Sequence, residues 1–198
     1  MELRVSGKKS CLKSFYRNGN PRTKRFFNNG KRIMDSLSPY LVKYDRDQKH
    51  YKQMYCYWML TMDTWETFKQ INRYNSKHDL LSKQIMRWKS PLLLHGDCET
   101  PAYVEYFEGM RQEYITAYCV EGKLHMFGSA AVLVKDKHDV LRACIYVRNG
   151  KYAVLEGGKP NVIYYDATHY GKLIKRETRV GDVTIDDVAR EFNFLKKE

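Results

Sequence analysis

From Tyr51 onward the bulky apolar residues fall at Tyr51, Met54, Tyr55, Trp58, Met59 and Met62. This i, i+3, i+4, i+7, i+8, i+11 spacing is the one-sided stripe of an amphipathic helix. Asp63 with Glu66 three residues later matches a capping pair and opens a second helical stretch through Trp65, Phe68 and Ile71. Ser76 with Asp79 starts a third, carrying Leu81, Ile85 and Trp88 until Pro91 ends it. The pattern predicts a small helical layer over about residues 45–90.

From about residue 102 the rhythm changes to short runs rich in Tyr, Val and Ile, punctuated by turn residues, which predicts antiparallel strands. They are expected near 102–107, 113–120, 124–134, 140–147, 151–156, 162–166 and 172–180. The joints are Glu121-Gly122-Lys123, the charged run 135–139, Arg148-Asn149-Gly150, the loop 157–160, and His169-Tyr170-Gly171. Asn149-Gly150 is the strongest hairpin signal, because both residues tolerate positive φ. In the stretch 172–180, KLIKRETRV, neither alternating face is purely apolar, which marks an edge strand. Thr184 as N-cap, Asp186 and Asp187 in the first turn, and Ile185, Val188, Ala189, Phe192 and Leu195 on one side predict a final helix that needs an apolar surface to lie on.

The fold class read from this pattern is α+β: an N-terminal basic segment, a small helical layer (45–90), an antiparallel β-meander (102–180) and a C-terminal amphipathic helix packed on the sheet. Residues 1–32 read as a basic, aromatic-interleaved extension or hairpin. Residues 33–198 read as a single α+β domain, with a helical part over 43–90 and the sheet plus helix over 102–196. No repeat of solenoid period stands out. A smaller echo does: FYRNGNPR, FFNNGKR and YVRNGKY each place apolar residues before an Asn-Gly pair and a basic residue just after it.

Charge changes the picture at the front. The chain carries +12 over 198 residues, and residues 1–32 hold ten Lys or Arg against the single acid Glu2. A localised, one-signed basic excess is the electrostatic footprint of nucleic-acid binding. An interfacial membrane helix would need an apolar face, which Gly19, Pro21 and Gly30 interrupt, and no apolar run is long enough to span a bilayer. The expected partner is therefore nucleic acid, with no membrane. The five cysteines, at 11, 56, 98, 119 and 144, show no close ligand pair; no zinc site, metal or cofactor is expected, and the odd count fits a reduced, intracellular protein. The basic, tyrosine-rich composition is similar to that of small nucleic-acid binders of viruses and bacteriophages, with no motif residues behind the likeness.

Within residues 11–32, Lys13, Arg17, Arg22, Lys24, Arg25, Lys31 and Arg32 are placed to neutralise phosphates, and Phe15, Tyr16, Phe26 and Phe27 to stack on unpaired bases. Cations interleaved with aromatics suit RNA or single-stranded DNA better than duplex, whose bases are already stacked. Arg148, Lys151, Lys159, Lys172 and Arg176 would extend the path along the sheet. Tyr146, Tyr152, Tyr164, Tyr165 and Tyr170 offer either an aromatic platform or ordinary cross-strand pairs. The leading expectation is a non-enzymatic binder of low sequence specificity.

Two other classes compete. Asp97 within HGDCE and Glu121-Gly122-Lys123 form a pattern that resembles the PD-(D/E)xK nucleases. The resemblance implies carboxylates holding Mg²⁺ and Lys123 stabilising phosphate charge. The chain departs from that pattern in having no Pro before Asp97 and in placing Glu121 at a turn. An adaptor for an acidic protein partner would use Trp58, Trp65 and Trp88 as anchors. Nucleotide-binding loops, the serine-hydrolase elbow and the signatures of common RNA-binding modules are absent.

Overall fold

The structure, a computed structural model, describes residues 9–47, 50–61, 64–87, 93–96, 100–110, 112–166 and 172–196. In chain order the strands are β1 (Lys9–Phe15), β2 (Pro21–Asn28), β3 (Lys31–Arg32), β4 (Leu41–Tyr44), β5 (His50–Thr61), β6 (Thr64–Tyr74), β7 (Leu80–Arg87), β8 (Leu93–Leu94) and β9 (Tyr103–Tyr106). They continue with β10 (Glu113–Ala117), β11 (Cys119–Val120), β12 (Lys123–Leu124), β13 (Val132–Lys135), β14 (Leu141–Ile145), β15 (Val147–Arg148), β16 (Lys151–Tyr152), β17 (Val162–Tyr165) and β18 (Leu173–Glu177). One α-helix, α1 (Ile185–Glu191), follows. Fourteen strands form one antiparallel sheet whose main path runs β1-β2-β4-β5-β6-β7-β9-β10-β13-β14-β17-β18.

The α+β expectation is overturned: the fold is mostly antiparallel sheet, and among the described residues of 45–90 no helical layer is present. That region is the three longest neighbouring strands, with β5 paired to β6 over ten residues and β6 to β7 over seven. The apparent helical stripe arises because β5 carries bulky residues on both faces. Met54 and Cys56 point one way while Tyr55 and Tyr57 point the other, so a two-sided strand mimics a 3.6-residue period. Aromatic-rich runs fit a pleated surface, and long cross-strand pairing overrides the local pattern. Glu66 lies within β6 instead of capping a helix, and Asn75 and Asp79 close a tight turn between β6 and β7, with Asn75 Oδ1 accepting from the Asp79 N–H at 2.9 Å. Trp88 and Pro91 lie outside the described residues.

Register is continuous across the whole sheet. The front face, defined by Lys52, Met54 and Cys56, carries two unbroken cross-strand rows. One runs Ser14, Thr23, Lys43, Lys52, Arg73, Ser82, Glu105, Ile115, Val134, Ala143, Tyr164, Lys175. The next runs Leu12, Arg25, Leu41, Met54, Ile71, Gln84, Tyr103, Ala117, Val132, Ile145, Val162, Glu177.

Over the C-terminal half of this face lies a second layer of small hairpins. The turns Glu121-Gly122 and Asn149-Gly150 of this layer, and Asn29-Gly30 between β2 and β3 of the main sheet, all have positive φ at both residues, the geometry of tight hairpin turns. Each is followed by Lys, at 123, 151 and 31. The two hairpins of the layer stack: the Gly122 N–H donates to the Leu94 carbonyl, the Gly150 N–H to the Leu124 carbonyl, and the Val183 N–H to the Gly150 carbonyl. A regular structural unit thus recurs that the sequence pattern only hinted at. Helix α1 closes the layer, started by Thr184 and Asp187 in a reciprocal capping box. Beneath this cover Ile115, Val134, Ala143, Ala117, Val132, Ile145 and Val162 are fully buried together with Val188, Phe192 and Leu195 of the C-terminal segment. Among the described residues the N-terminal half carries a smaller apolar cluster, Tyr40, Leu41, Met54, Cys56 and Ile71, with Ile33 and Met86 against it, and Phe68 and Ile85 are buried besides.

Candidate nucleic-acid interface

The basic front is not a tail. Strands β1 and β2 form a hairpin through the turn at 16–20, and β2 pairs with β4, so residues 9–32 are the first strands of the main sheet. Every residue of β1 is exposed, as an edge strand with cations allows. Alternation divides the predicted site. Lys13 faces Lys24 on the reverse side, whereas Arg25 faces Leu12 on the front. Phe26 and Phe27 are half-buried and project to opposite faces, because neighbours on a strand must. Tyr16 is anchored, its hydroxyl donating to the Tyr44 carbonyl at 2.8 Å, with the Arg22 guanidinium 5.9 Å from its ring centroid. Lys24 sits 4.9 Å from the Tyr44 ring centroid and Arg32 4.7 Å from that of Tyr40. Phe15 alone of the four predicted stacking residues is largely exposed, at 57%. Arg17 lies in the exposed turn and Lys31 just after the Asn29-Gly30 turn.

The front face behind this hairpin holds cations that the sequence pattern did not single out. Lys43, Lys52 and Arg73 occupy directly opposed positions on three successive strands. Lys69 lies on the same face, opposite Cys56. Burial first, then Arg73, Lys43 and Lys69, lower the Lys52 pKa. Burial and Arg32 do the same for Lys69, against an opposing pull from Cys56. A cleft of about 470 Å³ lined by Leu12, Ser14, Arg22, Arg25, Lys43 and Tyr51 joins this row to the β1–β2 hairpin. Reading 41–61 as a strand pair would have exposed the signal, since Lys43 and Lys52 stand directly opposite each other on β4 and β5.

The remaining predicted cations are elsewhere. Arg148 stacks on exposed Phe127 at 5.0 Å from the ring centroid, on the hairpin layer. Lys151 lies alongside Asp182, Lys159 follows the turn at Glu156–Gly158, and Arg176 lies on β18 at the opposite edge of the sheet, with Lys172 just before that strand. The strand order therefore separates them from residues 11–32 instead of bringing them together. Of the five tyrosines, Tyr164 is drawn into a clamp: its hydroxyl donates to Glu191 at 2.7 Å, and Arg179 reaches Glu191 at 2.7 and 2.9 Å. Tyr152 also borders Arg179, so these rings brace the terminal helix. Tyr170 lies outside the described residues.

Glu121 is the first residue of a tight turn, with φ 49°, and its carboxylate is 3.5 Å from Arg87. Arg87 also meets Glu66 at 2.6 Å and His95 Nε2 at 3.2 Å. Asp97 lies outside the described residues, and among those described no group of three His, Cys, Asp or Glu side chains could hold a metal ion. No described helix is long and apolar enough to cross a membrane. Comparison with protein families, with characterised proteins and with solved structures returns no match.

Proposed function

We propose that this protein binds nucleic acid, RNA or single-stranded DNA in preference to duplex, with little sequence specificity and without cleaving it. The observation that carries the reading is the β1–β2 hairpin. It is an exposed edge with Lys13 and Lys24 on one face, Arg25 on the other, Arg17 at its turn, Phe15 open to solvent, and no carboxylate between residues 11 and 32. Cations of this density displace counterions from phosphates whatever the base sequence. An exposed ring beside them can stack on an unpaired base, a contact worth about 1–3 kcal/mol in single-strand binders. Tyr16 is anchored on Tyr44 and Phe26 and Phe27 are half-buried, which leaves electrostatics as the larger contribution.

The test is fluorescence anisotropy with labelled single-stranded RNA, single-stranded DNA and duplex DNA across salt concentrations, with and without Mg²⁺. Salt-steep binding that favours single strands, with intact probe, is the expected result. Replacing Arg22, Lys24 and Arg25 together with Ala should reduce the slope of log K against log salt by roughly 2, at about 0.7 per phosphate contact on single strands. Equal slopes for the two proteins would remove the hairpin from the site, and Mg²⁺-dependent loss of probe would replace binding by cleavage.

A further inference from the structure

Like charges directly opposite one another destabilise a sheet. Lys43, Lys52 and Arg73 nevertheless stand in one straight row on β4, β5 and β6. None of the three forms an ion pair with a described residue. The opposed charges themselves work against the fold, whatever their stems cover. Further along the same row Ile115, Val134 and Ala143 show that these positions accept apolar residues when a second layer covers them.

We propose that this row is a second segment of the nucleic-acid site, a cross-strand ladder of donors that takes successive phosphodiester groups of one strand. The proposal rests on the reading of the β1–β2 hairpin as a nucleic-acid binder and extends it inward. Ser14 and Thr23, whose hydroxyls are 2.6 Å apart, begin the row, so hydroxyl donors lead directly into the three cations. The cleft between the hairpin and Lys43 makes the surface continuous. Adjacent strands are about 4.8 Å apart, which gives the path from Ser14 to Arg73 a length of about 19 Å across the strands. The row has no aromatic side chain between Ser14 and Ser82, so it engages phosphates and leaves bases to the hairpin. Strand polarity and base identity then have no bearing on this segment. The depressed pKa of Lys52, caused by burial and by Arg73 and Lys43, fits a cluster whose repulsion an anion relieves.

The experiment uses the full chain, a labelled single-stranded 20-mer as RNA and as DNA, and three proteins besides the wild type. One carries Lys43→Gln, Lys52→Gln and Arg73→Gln. The second carries Lys43→Arg, Lys52→Arg and Arg73→Lys, which keep the charge. The third is the Arg22, Lys24 and Arg25 to Ala variant. The glutamine protein should bind at least about tenfold more weakly, with a salt slope smaller by roughly 2, while the charge-preserving protein binds like the wild type. Full binding by the glutamine protein, with loss only in the hairpin variant, would overturn the ladder and leave the hairpin reading standing. Loss in the glutamine protein alone would support the ladder and move the site away from the hairpin. Absence of wild-type binding at low salt would overturn both. A urea midpoint of the glutamine protein at or above wild type confirms that its weaker binding is not unfolding. Should that protein fail to fold, Lys52→Gln alone decides the matter through a slope change of about 0.7.

Discussion

One cross-strand row passes through both halves of this molecule and meets opposite environments. Between β1 and β7 it reads Ser14, Thr23, Lys43, Lys52, Arg73, Ser82. Between β10 and β17 it reads Ile115, Val134, Ala143, Tyr164. The backbone pairing is equivalent, so the contrast comes from what lies above the face. The C-terminal half has stacked hairpins and a terminal helix, and its row is buried and apolar from Ile115 to Ala143. Among the described residues, the N-terminal half has a smaller apolar cluster beside the row, and cations can stay there because the long stems of Lys and Arg cover apolar surface while their heads reach water. A single sheet is thereby divided into a half whose contacts hold the fold and a half whose front face carries cations at half-buried and exposed positions.

The largest expected effect sharpens that division. Phe192→Ala removes a fully enclosed ring of the C-terminal core and should cost about 3–5 kcal/mol in urea unfolding, whereas Met54→Ala in the smaller cluster should cost about 2 kcal/mol. Equal costs would mean that the two halves share one core.

The next effect concerns acid. Hydrogen bonds from Lys175 and Arg179 hold the Glu177 carboxyl down to about 2. Burial works to raise Glu191, but hydrogen bonds from Arg179 and Tyr164 outweigh it and leave its carboxyl below the usual range. Both folded-state values lie below those of the unfolded chain, so their stabilisation is complete above the ordinary glutamate value of about 4.3. It is lost as pH falls toward 2. Unfolding midpoints should drop between about pH 5 and pH 2. Glu191→Gln, which removes a charged partner of Arg179, should lower stability near neutrality by about 2 kcal/mol and flatten the acid limb. An unchanged acid limb would remove the clamp from the account of the C-terminal half.

The smallest effect separates binding from folding in the N-terminal half. Lys52→Gln should leave stability within about 0.5 kcal/mol of wild type, on the stabilising side, because it removes a repelled charge. The difference should close as pH rises through the lysine range, where the wild-type ammonium is lost as well. A clear loss of stability would show that Lys52 supports the fold instead of opposing it.

Several parts of this architecture were legible from local signals. Asn149-Gly150 marked a tight hairpin, the charged faces of 172–180 marked an edge, and Thr184 with its following acids marked the helix start, each because a short-range rule operates on a few residues. Residues 50–87 were misread because their bulky residues serve two faces at once, and only pairing with neighbours distinguishes a two-sided strand from a helix. The basic front was legible as charge, but strand position left Phe15 exposed, anchored Tyr16 and sent half-buried Phe26 and Phe27 to opposite faces.

What the amino-acid sequence determined by itself was composition-borne: a cationic, aromatic front without carboxylates, turn positions that require positive φ, and an amphipathic terminal helix in need of a surface. Tertiary structure decided the rest. It placed the basic hairpin in the sheet, set the predicted cation Arg176 of β18 at the far edge, and aligned Lys43, Lys52 and Arg73 from three different strands. The physical reason is register. A shift of one residue in any of these strands would send its side chains to the other face, and register depends on the hydrogen-bonding and packing of every neighbour at once.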